Sequence, residues 1–136
     1  MRAIALDTNT YAGFKRGDQA CLEVIQQADR LLLSTTVIAE LLAGFACGAQ
    51  EARNRKELRL FLDSPRVAVC ASTIATADAY ALIYRQLRRA GKPIPTNDIW
   101  IAASCQEHGA VLFSFDQHFE AIDGLRVIKS WAEALP

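Results

Sequence analysis

The sequence lacks any long apolar run. No stretch approaches the ~18 consecutive apolar residues that a membrane helix needs, so the GxxxG spacing at Gly44–Gly48 carries no membrane meaning. Asp7 interrupts the first apolar run too early for a secretory signal peptide, and a cytoplasmic location without membrane attachment is expected. Paired cysteines are also missing. Cys21, Cys47, Cys70 and Cys105 are scattered with no C-x-x-C among them, which argues against a zinc site and for reduced, mostly buried thiols. There is no excess charge, since 15 Lys and Arg face 15 Asp and Glu. That balance excludes no partner, because a nucleic-acid binder needs only a local basic patch. Neither G-x-G-x-x-G nor G-x-x-x-x-G-K occurs, so dinucleotide and P-loop readings fail. Internal repeats, low-complexity segments and linkers are absent as well.

What remains is an ordinary globular composition, 51 % hydrophobic over 136 residues, enough for a full core without staples. Strand and helix signals alternate along it. Ala3–Leu6, Leu31–Leu33, Val67–Ala71, Val111–Phe113 and Arg126–Ile128 read as strands. Thr10–Phe14, Gln19–Ala28, Thr36–Cys47, Gln50–Leu62, Thr73–Ala90, Asn97–His108, Gln117–Ile122 and Trp131–Leu135 read as helices, with Ser72 as a cap and Gly91 as a stop. Such alternation predicts a parallel sheet with helices on both faces, in a single domain spanning 1–136.

In open sheets of this kind ligands bind outside the carboxyl ends of the strands. Asp7 leaves the first strand, Glu40 lies on the helix after the second, Asp98 opens a later helix and Asp116 follows the fourth strand. Each has a plain structural reading. Asp7 and Asp116 suit helix caps, and Asp98 suits a first helical turn, where the dipole favours a negative charge by roughly 0.3–1 kcal/mol. Glu40 is the one charge on "TVIAELLAGFAC", a helix apolar nearly all round and therefore expected to be largely buried. A lone buried carboxylate is costly unless paired or bound to metal; alternatively Glu40 points into solvent through an exposed strip. Convergence of the four would make them repel unless a cation joined them. Magnesium and manganese favour oxygen ligands, and such an ion supplies what phosphodiester hydrolysis needs. Thr8, Asn9, Asn97 and Ser114 stand beside these acids, as donors that orient them or as turn and cap chemistry.

This pattern resembles the PIN domain, and most closely the VapC-type toxin ribonucleases. The resemblance covers essentially the whole chain and rests on "LDTN" (6–9), "TTVIAELLAG" (35–44), "YRQLRRAGKPIPTNDIWIAA" (84–103) and "LFSFDQHFEAIDGLRVI" (112–128). It implies a three-layer α/β/α fold around a central parallel sheet of four to five strands. It also implies a Mg2+- or Mn2+-dependent endoribonuclease with Asp7, Glu40, Asp98 and Asp116 as its acidic quartet and Ser114 as the hydroxyl two positions before the last acid. Further implications are an RNA substrate, a homodimer, and silencing by a cognate antitoxin on a separate chain.

Arg85, Arg88, Arg89 and Lys92 could hold RNA phosphates, although basic residues also suit a helix C-terminus. Arg53, Arg55, Lys56 and Arg59 read as a solvated helix face. His118 is assigned to covering the short helix rather than to metal, and His108 to a helix end. Trp100 and Phe115 are assigned to the core, with base stacking the lesser alternative. Four rivals stand beside the toxin reading. A phosphotransfer receiver would need a lysine at the end of a late strand, and "VLFSFD" offers none. A phosphatase with an aspartyl nucleophile would need Asp where Asn9 stands. A non-catalytic PIN-like interaction module would have no need of converging acids. A PIN nuclease of RNA processing would share the chemistry but not the toxin role.

Overall fold

The computed structural model describes residues 2–136. Three apolar runs become strands in which every residue is buried: β1 (Ile4–Leu6), β2 (Leu31–Ser34) and β4 (Val111–Phe113). Unalternating apolar strands must be covered on both faces, which a parallel sheet with crossover helices achieves. β3 (Val67–Cys70) and β5 (Val127–Ile128) form the two edges. All pairings are parallel, in the order β3-β2-β1-β4-β5. In register, Ile4 faces Leu31 on one side and Val111 on the other, and Leu6 faces Phe113.

The helices are α1 (Thr8–Arg16), α2 (Gln19–Gln27), α3 (Thr35–Ala46), α4 (Glu51–Leu62), α5 (Ile74–Ala90), α6 (Thr96–Glu107) and α7 (Trp131–Ala134), with a 3-10 helix at Gln117–Ala121. Five parallel strands flanked by helices make the expected three-layer α/β/α arrangement, at the upper end of the expected strand number. Among the described residues no helix is long and apolar enough to cross a membrane. α1 ends at Gly17, whose φ of 83° suits glycine and lets its N–H reach the carbonyls of Gly13 and Phe14. Gly13 serves a different need. A Cβ there would lie 2.7 Å from the Sγ of buried Cys21, so α1 and α2 approach too closely for a side chain.

Four local expectations change. α5 is capped by Thr73 rather than Ser72. The Thr73 N–H donates to Thr76 Oγ1 at 3.0 Å, and Thr76 in turn donates to Glu107 Oε1 at 2.5 Å, so the helix start is fixed by α6, a partner far away in sequence. α3 is not largely buried: only Val37 and Leu41 are, while Ala39, Ala43 and Gly44 face outward. Its outer side is made of small residues, which expose little apolar area. Phe115 is 44 % exposed rather than core, and Trp100 is half-buried against the Tyr80 ring at 4.5 Å. The thiols follow expectation, with Cys21, Cys70 and Cys105 buried and Cys47 exposed, all free. Burial pushes the Cys105 thiol up to about 12, far from the thiolate a nucleophile or ligand needs.

The chain lays down β1, β2 and β3 toward one edge, then crosses to the other side of β1 for β4 and β5. The order reverses between β1 and β4, and that reversal opens a crevice at their carboxyl ends.

Candidate active site

Two residues that leave these strands meet in the crevice. Asp7 follows Leu6 and Ser114 follows Phe113. Ser114 is fully buried and its Oγ donates to Asp7 Oδ2 at 2.5 Å. The other Asp7 oxygen accepts from the Thr10 N–H at 2.9 Å and lies 2.9 Å from the Thr10 hydroxyl, which also lies 3.2 Å from the Phe113 carbonyl. Asp7 is thus the N-cap of α1 as well as a crevice acid. Its cap partner Thr10 ties it to β4. Burial raises the Asp7 carboxyl above the usual range. Hydrogen bonds from Ser114 and Thr10 pull it down, and nearby Asp116 pushes it further up.

Ser114 also accepts from the Asp116 N–H at 3.0 Å, so one hydroxyl positions two acids. Asp116 caps the 3-10 helix by accepting from the His118 N–H at 2.9 Å. Asp98 comes from the first turn of α6. Burial is the main cause that raises its carboxyl; a hydrogen bond with His118 lowers it, and the charges of Asp116 and Glu40 raise it. The His118 Nδ1 lies 2.9 Å from Asp98 Oδ2 and 3.3 Å from Asp116 Oδ1. Glu40 projects from α3, half-buried, and each of its oxygens has a donor: Thr8 Oγ1 at 2.6 Å and Asn97 Nδ2 at 2.7 Å. Among the described residues no buried side-chain nitrogen or oxygen lacks a hydrogen-bond partner, yet burial and the neighbouring acids still raise the Asp7 and Asp98 carboxyls.

All four acids line one cleft of about 290 Å³, together with Thr8, Asn9, Asn97 and His118. A larger hollow of about 380 Å³ opens at the opposite, amino ends of the strands, lined by Arg2, Ile4, Val111, Arg126, Ala134 and Pro136. No Asp or Glu lines it, and chemistry rather than size marks the site. One ligand atom each from Asp98, Asp116 and His118 lie within 4.8 Å of one another, close enough to share a metal ion. The carboxylate oxygens of that set are what a hard divalent cation favours.

A family model for the PIN domain matches residues 4–125. The chain belongs to the PIN-domain family. Among curated relatives, this PIN domain is 27 % identical to Ribonuclease VapC4 of Mycobacterium tuberculosis, over 94 % of this chain and 87 % of that one. It is 33 % identical to Plasmid stability protein StbB of Pseudomonas syringae pv. tomato, over 94 % and 98 % of the two chains. Among solved structures it superposes on the DNA-bound VapBC of Salmonella typhimurium with a TM-score of 0.82 at 25 % identity, covering 94 % of this chain and 98 % of that one.

The PIN fold brings together all four acids that the sequence singled out. Thr8 and Asn97 contact Glu40, and Ser114 contacts Asp7. Asn9 lines the cleft without a hydrogen bond to the acids. Arg85, Arg88, Arg89 and Lys92 are exposed at the end of α5 and do not line the acid cleft. Two site residues were missed. Thr10 stands three positions after Asp7, the spacing of a capping box, and that was a local signal for it. His118 was assigned to covering the short helix. Its link to Asp98 joins residues twenty apart, which no local pattern displays.

Proposed function

We propose that this PIN domain is a divalent-metal-dependent endoribonuclease and the toxin of a toxin–antitoxin pair. In this reading it acts in the cytoplasm as one functional unit and a homodimer, and a separate antitoxin chain silences it. The observation that carries the reading is the meeting of Asp7, Glu40, Asp98 and Asp116 in one cleft. The names of its relatives support the biological role, one a ribonuclease and another a plasmid stability protein.

Asp7, Asp98 and Asp116 are the residues that would hold Mg2+ or Mn2+. Bound there, the cation lowers the pKa of a coordinated water and offsets charge gathering on a phosphoryl oxygen. Around it the chain's own groups do the positioning. Ser114 fixes Asp7 and the backbone before Asp116 in one arrangement. Thr8 and Asn97 hold the Glu40 carboxylate with one lone pair on each oxygen still free for a water or a second cation. The His118 Nδ1 lies between Asp98 and Asp116 and bridges the two.

The test is cleavage. Protein freed of any copurified partner is incubated with total RNA and manganese, and new RNA ends are sequenced. The reading predicts defined ends that vanish with chelator and with Asp7→Asn. RNA left uncut by the wild-type protein in manganese would leave a non-catalytic interaction module as the better account.

A further inference from the structure

A second hollow lies beside the acid cleft, and the nuclease reading so far leaves it unused. α5 and α6 pack antiparallel. Thr76, near the start of α5, bonds to Glu107 at the end of α6, and nearer the connector the rings of Tyr80 and Trp100 meet at 4.5 Å. Tyr84, one turn after Tyr80 on α5, lines the second hollow with Ile99 from the first turn of α6, the neighbour in sequence of Asp98. The connector between the helices forms a wall between the two hollows. Pro95 lines the acid cleft, whereas Pro93 and Ile94 line the second hollow with Tyr84, Leu87, Arg88 and Ile99.

This hollow has a volume of about 200 Å³. That is below the ~300–1,000 Å³ of sites that enclose a whole drug-sized molecule and is on the scale of one planar ring. Tyr84 is 44 % exposed, its ring stacked on Tyr80 with an interplanar angle of 16°. Arg88 lies one turn on, its guanidinium 3.4 Å from the Tyr84 hydroxyl. Arg85 and Arg89 stand next to them in sequence and Lys92 one turn after Arg88, all exposed. Among the described residues none of these four cations is paired with a carboxylate. The helix dipole accounts for cations at the end of α5. It accounts for neither the exposed ring nor the apolar hollow beneath it.

We propose that this hollow is a base-binding subsite of the nuclease. It receives the nucleobase next to the scissile phosphate, stacked on Tyr84, with Arg88 on the adjoining phosphate. The inference rests on the nuclease reading. An aromatic face beside unpaired cations is the usual equipment for single-stranded nucleic acid. The acid cleft repels phosphates, so the strand must be held by cations on its flank. A second copy of this chain is a poor occupant, because a two-fold contact would set this cationic patch against itself.

The test uses the full chain and a short RNA spanning a cleavage site found by end sequencing. Tyr84→Ala should raise KM roughly 5- to 150-fold, the range of a lost base–aromatic stack, with kcat nearly unchanged. Tyr84→Phe should behave as wild type. Removing the base beside the cut should weaken the wild-type enzyme by a similar factor and Tyr84→Ala hardly at all, since both changes delete one contact. The inference is overturned if the two losses multiply, or if Tyr84→Ala cleaves with an unchanged KM. It is also overturned if Tyr84→Ala turns a dimer into a monomer, which would assign the hollow to a second copy. Failure of the wild type to cut any RNA would instead remove the nuclease reading beneath it.

Discussion

Ser114 carries two hydrogen bonds that no other residue can supply, one to Asp7 and one from the Asp116 N–H, and it is fully buried. Ser114→Ala leaves the Asp7 carboxylate and the Asp116 N–H each short of a bond. Such a loss costs about 1–3 kcal/mol, read as a lower urea midpoint. Because the same hydroxyl orients two acids, cleavage should also fall by roughly 10- to 100-fold, as is typical when a ligand-orienting group is removed. Asp98 gives a prediction of opposite sign for stability. Its carboxyl is raised above the ordinary aspartate value of 3.8, chiefly by burial. The folded state therefore binds the proton more tightly than the unfolded state, and rising pH through the window above 3.8 removes stability. At neutral pH the metal-free protein bears the full cost of that buried charge. Asp98→Asn should raise the metal-free Tm at pH 7 while abolishing cleavage. That advantage should disappear as pH falls through the raised carboxyl value toward 3.8, where Asp98 is protonated in the wild type too. A variant that melts below wild type at pH 7 would contradict this.

At the scale of elements, three of the four acids sit where a helix begins, for reasons of that helix's own. Asp7 and Asp116 cap the helices that follow them, and Asp98 occupies a first turn. Capping and site chemistry share residues, so the strand–helix junctions legible in the sequence also located Asp7 and Asp116, and the start of α6 located Asp98. Glu40 was legible because it is the lone charge on an apolar helix. The burial of that helix was not, since burial depends on what packs outside it, and α3 presents its small residues to solvent. His118 and the Thr73 cap escaped for a related reason, as each is fixed by a contact to α6 distant in sequence. Gly13 offers an element-scale test away from the acids. A methyl group there must displace Cys21 and push α1 from α2. Gly13→Ala should cost about 1–3 kcal/mol of stability by overpacking, measured by urea denaturation, with cleavage per folded molecule retained. A variant as stable as wild type would show that the helices can part without cost.

For the whole molecule, the parallel order β3-β2-β1-β4-β5 matters most, because it places the reversal point between β1 and β4. Segments far apart in sequence bring their acids to that one opening, and a zero net charge conceals it: carboxylates collect in the cleft while cations collect at the end of α5. A molecule built this way gains stability from a cation that binds only its folded state, by about 2.7 kcal/mol when the ion is at a hundred times its Kd. Millimolar manganese should accordingly raise the Tm of the wild type and leave that of Asp98→Asn nearly unmoved. The central claim, that these acids form one divalent-cation site, is tested most directly by anomalous diffraction from crystals soaked in manganese. The account predicts an anomalous peak in the cleft within bonding distance of carboxylate oxygens from Asp7, Asp98 or Asp116. A cleft without such a peak, in crystals where manganese binds elsewhere on the surface, would contradict it.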